Sequence, residues 1–557
     1  MDKHGDPCLL FAFPLSCLVQ LKEKNTPNRW GLVQGVCRTL LDDKTSEVFQ
    51  EACSIFFLHC HNKPYCLFHP GTFQQKLQSH KLPDHLRLAI IASAVRYSSR
   101  SQWRDRKQKT IDSYAACSWE LVMSLAGLGQ DDISVIQTLT LLAIIDATAG
   151  RQRAAWVKVG MAVRISQDLR MMLEPDSRLP YAERDERRNL FWSVYLLDRF
   201  ICCSFHRPPA INDADCLLNL PTHHHPLTLK GLLSEQLEDP TLQPGVFATT
   251  VAFSSVLGEI ARYMMREDSL GLFDPQYTAF QYKLERLNEM TERNAGSDLH
   301  SMASTHLVLS RCLYHLSFCI LKHPFLLGSL TSRMNHEEST KWMRDARHTC
   351  FAHACSLAQV LIDAQAAGSM PVPSFYSYSI LVAETVHALH LYGNDPSASQ
   401  QSLRYLDNAF QYLDRISEFW DQANMIATVL RFFRNRCPRY SNIFLRENPP
   451  MEDLTPTDLT VLRAIVDYWV MMDPNNPIAE LTSVNIDCFP QFSPAGQEPR
   501  EETESVRLHP DMPRRTNENM EGEFVDPQLL ETLSIQPSPD AKGDPLWDWD
   551  DDSIPKA

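Results

Sequence analysis

Glycine is sparse in this chain, 19 residues in 557, and both phosphate-cradling loops and turn-rich all-β folds draw heavily on it. Alternating β-branched runs are equally scarce, so strands are not expected. Catalytic signatures are missing too: there is no G-x-S-x-G, no P-loop, no dinucleotide fingerprint and no H-E-x-x-H. None of the 16 cysteines has a C-x-x-C partner, the spacing with which structural zinc sites usually place two thiolates on one ion. The chain is also no small secreted disulfide framework, and reduced, buried thiols of an intracellular protein are the expectation. A net charge of −15 excludes a basic footprint over the whole chain, so any DNA contact must be local or made by a partner. The apolar patch from Cys8 to Val19 is broken by Pro14 and is too short to span a bilayer. It also lacks the flanks of a signal peptide, and neither membrane nor secretion is expected.

What is present reads as helix. Apolar content of 44% and charged content of 22% are those of an ordinary globular protein. From Glu47 to about Asp473 one helical pattern follows another. Ile133, Ile136, Leu139 and Leu142 recur at helical spacing behind Asp131 and Asp132, which suit the positive end of a helix dipole. Trp156, Val159, Val163 and Ile165 mark the next helix, and Gly160 within it is expected at a close approach of two helices. Asn189 to Ile201 is apolar on nearly every side, the pattern of a helix inside a large core. Further helices are expected around 251–266, 282–294, 306–321, 348–365, 378–391, 402–420 and 459–472. The predicted class is all-α, a large multi-helix domain. Residues 1–46 form an irregular lead-in, 47–235 a first helical part and 236–473 its continuation. Residues 474–557 form an acidic, Pro-rich tail, with eleven prolines after 476, too poor in apolar surface to offset the entropy of ordering it.

Several motifs in order carry a family resemblance. CLFHPGTF (Cys66–Phe73), with His69 and Pro70, is followed by GRQRAAWVKVGMAVRISQDLRM (Gly150–Met171), with Trp156, Gly160 and Arg164. Next come Arg187-Arg188, Phe191-Trp192, Tyr195, Asp198-Arg199 and Arg207-Pro208-Pro209, and later LKHPF (Leu321–Phe325). The series resembles the fungal-specific transcription factor domain, the middle homology region of zinc-binuclear-cluster regulators, over roughly residues 47–330. The resemblance implies a nuclear regulator of RNA polymerase II genes, such as a metabolic or secondary-metabolite set, and no enzyme. It also implies zinc and DNA binding through a six-cysteine cluster, C-x2-C-x6-C twice over, from which this chain departs completely. DNA contact is then expected only through a cluster upstream of this sequence or through a DNA-binding partner. A small-molecule effector and a homodimer are further expectations, and an all-α small-molecule binding protein or enzyme on the same scaffold is the alternative.

Read from their chemistry, the signature residues are architectural. Asp198 and Arg199 end an apolar helix and are expected to pair with neighbours such as Arg164 or Arg188, since a lone buried charge is too costly; the alternative places these arginines around an effector pocket. Pro208-Pro209 stops the helix and turns the chain toward Asp213 and Asp215. Cys53, His59, Cys60, His61, Cys66 and His69 invite a metal reading, but consecutive side chains on one helix would splay by about 100° each, and a packed helix end is favoured. His223-His224-His225 reads as a solvated loop. The basic run Arg96–Lys109 reads as a solvated loop and first helical turn rather than a phosphate contact or import signal. In the last 37 residues, ten acidic groups face two lysines around Phe524, Leu529, Leu530, Leu533, Trp547 and Trp549. That pattern fits either a coactivator-binding activation segment or an inert acidic tail.

Overall fold

The computed structural model describes residues 45–472, except 101–102, 104–105, 127–128, 130–131, 205–206, 222–225, 235–243, 265–274, 296–304, 328–335, 369–374 and 447–452. All described residues lie in one compact unit, Met1–Cys488. Among them there is no strand, only an isolated bridge between Asn219 and Thr228. The helices of the first part are α1 (Thr45–His59), α2 (Pro70–Gln78), α3 (Asp84–Ala94), α4 (Lys107–Ala126), α5 (Ile133–Thr148), α6 (Gln152–Asp168) and α7 (Tyr181–Ile201). Then come α8 (Leu229–Leu233), α9 (Val246–Met264), α10 (Pro275–Ala295), α11 (Thr305–Leu321), α12 (Pro324–Leu327) and α13 (His336–Ala366). The last are α14 (Phe375–Leu391), α15 (Pro396–Ser417), α16 (Asp421–Phe444), α17 (Pro456–Val466) and α18 (Tyr468–Met472). No helix among the described residues is long and apolar enough to cross a membrane.

The helix starts follow from local chemistry. Asp132 caps α5, its carboxylate accepting from Ser134 N at 2.7 Å, which satisfies amides that have no partner within the helix. Asp395 caps α15 in the same way, with Pro396 at its first position. α7 begins eight residues before Asn189, directly behind Pro180. Its first turns, Tyr181 to Arg188, are polar and carry no apolar period, so the expected start was too late. α13 likewise begins at His336 rather than near 348. The expected helix over 459–472 is two: α17 ends at Val466, Asp467 is extended, and α18 follows at once. α16 contains Pro438 within it, and that proline hid the helix from sequence reading.

A single hydrophobic core runs from Phe49 to Met471, through both halves of the chain. α7 lies deep in it: Trp192 and Tyr195 are fully buried, and the helix packs on α5, α6 and α9. α9 also packs on α11, and α11 on α13 and α14, so the core continues without a break past residue 235.

The same burial traps histidines. His61, His306, His353 and His390 are pushed down to about 4, and His315, His323 and His387 to about 3, chiefly by loss of solvent. In the fold they stay neutral, whereas the unfolded chain takes up protons once the pH falls below about 6.5. Stability should therefore fall as the pH drops from about 6.5 toward 4, because the unfolded state binds more protons there. Urea midpoints measured at pH 7.5 and pH 5 should show a clear decrease; equal midpoints would contradict neutral burial of these side chains.

Candidate functional site

The C-terminal turn of α7 carries a buried charge cluster. Asp198 and Arg199 have side chains 0% and 4% exposed. The two oxygens of Asp198 accept from Ala210 N and Ile211 N, each at 3.0 Å, and Arg199 Nη1 stands at 3.3 Å. One carboxylate thus holds the backbone immediately after Pro208-Pro209. Arg199 Nη2 donates to Ile211 O at 2.8 Å and to Asp213, and the guanidinium lies 4.3 Å over the Tyr195 ring. Asp213 in turn accepts from Tyr195 Oη at 2.6 Å and from Ser255 Oγ, on α9, at 2.7 Å.

The charges divide unequally over this network. Burial works against the Arg199 cation, but Tyr195, Asp213 and Asp198 outweigh it and raise its pKa. Burial alone would raise the Asp213 carboxyl; Arg199 and the hydrogen bonds from Tyr195 and Ser255 hold it below the usual carboxylate range. For Asp198 burial wins, and its pKa is raised despite Arg199 and the two amides. The expected partners Arg164 and Arg188 are elsewhere. Arg188 pairs with Glu174 at 2.8 Å, roughly 15 Å along the helix axis from Asp198. Arg164 is exposed and bonds Gln167 Oε1 at 2.9 Å.

A second cluster joins the first motif to α7. His69 caps α2, accepting from Thr72 N at 3.4 Å, with Pro70 at the first helical position. Thr72 Oγ1 donates to Glu186 at 2.7 Å, and Gln137 Nε2 donates to Glu186 and to Leu67 O, both at 2.8 Å. Trp192 Nε1 donates to Asn219 O at 2.8 Å, tying the extended segment beyond the turn to the same helix. The third cluster closes the domain. Arg207 lies between Trp156 and Trp469, 4.7 and 4.4 Å from the ring centres, and Ser204 Oγ donates to Asp467 at 2.7 Å. Sequence reading missed Glu186, Gln137, Asp467 and Trp469, because nothing local marks a partner 49 to 263 residues away.

Three readings need correction. Gly160 is at no close approach: a methyl group there would meet nothing within 4 Å, because it sits on the outer side of α6 beside exposed Val157. His59, Cys60 and His61 do not share a helix: α1 ends at His59, and both Cys60 N and His61 N turn back to Phe56 O. The basic run is not simply solvated: Arg96 and Trp103 are buried, Arg96 donates to Phe419 O at 2.9 Å, and Arg100 pairs with Glu51.

Among the described residues no group of three or more His, Cys, Asp or Glu side chains is placed to hold a metal ion. His59 stacks on Tyr97 at 4.8 Å, His61 packs on Phe57, and burial pushes the thiols of Cys53, Cys60 and Cys66 up to about 12. Cys53, Cys60 and Cys66 also lack the C-x2-C spacing of the family's cluster. His223–His225 and the tail residues Phe524, Leu529, Leu530, Leu533, Trp547 and Trp549 lie outside the described residues.

The sequence pattern of the fungal specific transcription factor domain matches residues 53–343, which contain all three clusters apart from Asp467 and Trp469. The chain belongs to that family. It is 20% identical over 439 residues to the Zn(2)-C6 fungal-type transcription factor FTF1c of Fusarium oxysporum f. sp. lycopersici, covering 70% of this chain and 46% of that protein. Two uncharacterized transcriptional regulatory proteins of Schizosaccharomyces pombe are 27% identical over 241 residues and 23% over 437. These alignments cover 38% and 68% of this chain and 24% and 51% of the relatives. The chain thus spans about half the length, or less, of the curated relatives it matches.

Arg199→Met should destabilise the domain by about 3–5 kcal/mol, since it strands the buried Asp198 carboxylate and takes the counter-charge from half-buried Asp213. Arg164→Met, at an exposed position, should stay within about 0.5 kcal/mol. Urea unfolding of both variants checks the contrast. Gly160→Ala, with room for the methyl, should stabilise α6 by up to about 1 kcal/mol, read as a raised melting temperature.

Proposed function

We propose that this protein is a nuclear regulator of RNA polymerase II genes, a metabolic or secondary-metabolite set, rather than an enzyme. The single observation that carries this reading is the match over residues 53–343 to a transcription factor family. The relatives' names support it, since they are transcription factors and transcriptional regulators. The chemistry at the end of α7 supports a scaffold, not a reaction centre: each charged group there is occupied in holding the turn after Pro208-Pro209. DNA contact is assigned to a zinc cluster in a longer form of the protein or to a DNA-binding partner. The tail is assigned to coactivator binding, with its acidity keeping apolar side chains accessible until they fold against a groove.

The test is a reporter assay with residues 476–557 fused to a neutral DNA-binding domain. Activation of at least several-fold is expected. Changing Phe524, Leu529, Leu530, Leu533, Trp547 and Trp549 to Ala, with every acidic residue kept, should abolish it. A silent parent fusion would remove the activation role from the tail; an equally active alanine variant would show that charge alone suffices.

A further inference from the structure

Between the end of α1, the end of α3 and α5, the core opens into a cleft of about 630 Å³, its solvent side included. Its walls are largely apolar, with Leu67, Leu141, Ile144 and Ile145 among them, and among the described residues no aspartate or glutamate lines it. The polar groups that do line it include Arg96, Lys63 and Trp420. All three donate hydrogen bonds and none can accept one through its side chain in the ionised or indole form.

Each of these donors is under-used. Arg96 is 7% exposed. Among the described residues its guanidinium makes one hydrogen bond, from Nη1 to Phe419 O at 2.9 Å, and stacks 4.0 Å over the Trp420 ring. No carboxylate forms an ion pair with it there; Asp421 acts on it only at longer range. Trp420 is also 7% exposed, and among the described residues its indole N–H is buried with no hydrogen-bond partner. Lys63 stands at the exposed tip of the turn after α1, where Nζ donates to Leu58 O at 2.5 Å and keeps two further protons. A buried guanidinium with a single carbonyl acceptor and no ion pair, beside a buried indole N–H with no acceptor, is a costly arrangement in an apolar cleft. What relieves both at once is an anionic acceptor, and the walls ask for an apolar body behind it.

We propose that this cleft binds a small monocarboxylic acid with an aryl or alkyl body. The carboxylate accepts from Arg96 and from Trp420 Nε1, Lys63 covers it at the mouth, and the body lies against Leu141, Ile144 and Ile145. Charge selects the acid over the neutral alcohol of the same shape, because only the acid compensates two cations. Occupancy does not depend on any role in transcription, and the regulatory reading survives if the cleft proves empty.

The experiment uses the full chain in titration calorimetry and thermal melting. The probes are 3-phenylpropionate and octanoate, each against its alcohol, 3-phenylpropanol and octanol. Saturable binding of at least one acid is expected, with a concentration-dependent rise in melting temperature and at least tenfold weaker binding of its alcohol. Lys63→Gln, at an exposed position that leaves folding intact, should weaken that acid several-fold. Trp420→Phe, which keeps the ring and removes the N–H, should do the same, and Arg96→Gln should abolish binding. The proposal is overturned if neither acid binds at millimolar concentration, if alcohol and acid bind alike, or if Lys63→Gln and Trp420→Phe both leave the acid's affinity unchanged.

Discussion

A guanidinium that has left water must find its counter-charge inside the protein, and Arg199 is that guanidinium. Among the described residues its acidic hydrogen-bond partners are its chain neighbour Asp198 and Asp213, fourteen residues on. To bring Asp213 back, the chain must reverse sharply after α7, which Pro208-Pro209 favours by ending the helix. Asp198 then holds that reversal by its two backbone bonds, and Ser255 docks α9 on the same carboxylate. The position of the second half of the domain thus follows from one charge that cannot be left unpaired.

How much of this was legible depended on whether the information was local. The helices α5, α6 and α11 were readable because their apolar residues recur within a few positions of one another. The early turns of α7 were not, since their residues are polar and carry no apolar period, although Glu186 among them is buried. α16 was hidden because a proline inside a helix looks like an end. The paired fate of Asp198 and Arg199 was legible as a need, but the partner was not. Desolvation demands a counter-charge without saying which one, and the nearest cation in sequence, Arg199 itself, met it.

The basic run shows the reverse error. Six positive residues within fourteen look like a solvated stretch, and along most of their length local polarity supports that. Arg96 departs because Phe419 and Trp420, more than 320 residues away, provide a carbonyl and a ring face. Likewise Arg207 owes its place to Trp156 on one side and Trp469 on the other. The family signature therefore describes half of several contacts whose other half lies beyond the matched residues, in a region sequence reading had treated as mere continuation.

That arrangement has a consequence for how the protein is made. Ser204 and Asp467 are 263 residues apart, and synthesis at about 5–20 residues per second separates their emergence by roughly 13 to 53 s. Throughout that interval the Arg-Pro-Pro turn has left the ribosome without Asp467 and Trp469, and the apolar surface that α17 and α18 will cover stays open. Closure then requires one of the longest loops in the domain to form late, which makes folding slow for a helical protein. Until its final two helices arrive, the nascent domain exposes apolar surface that the finished fold buries.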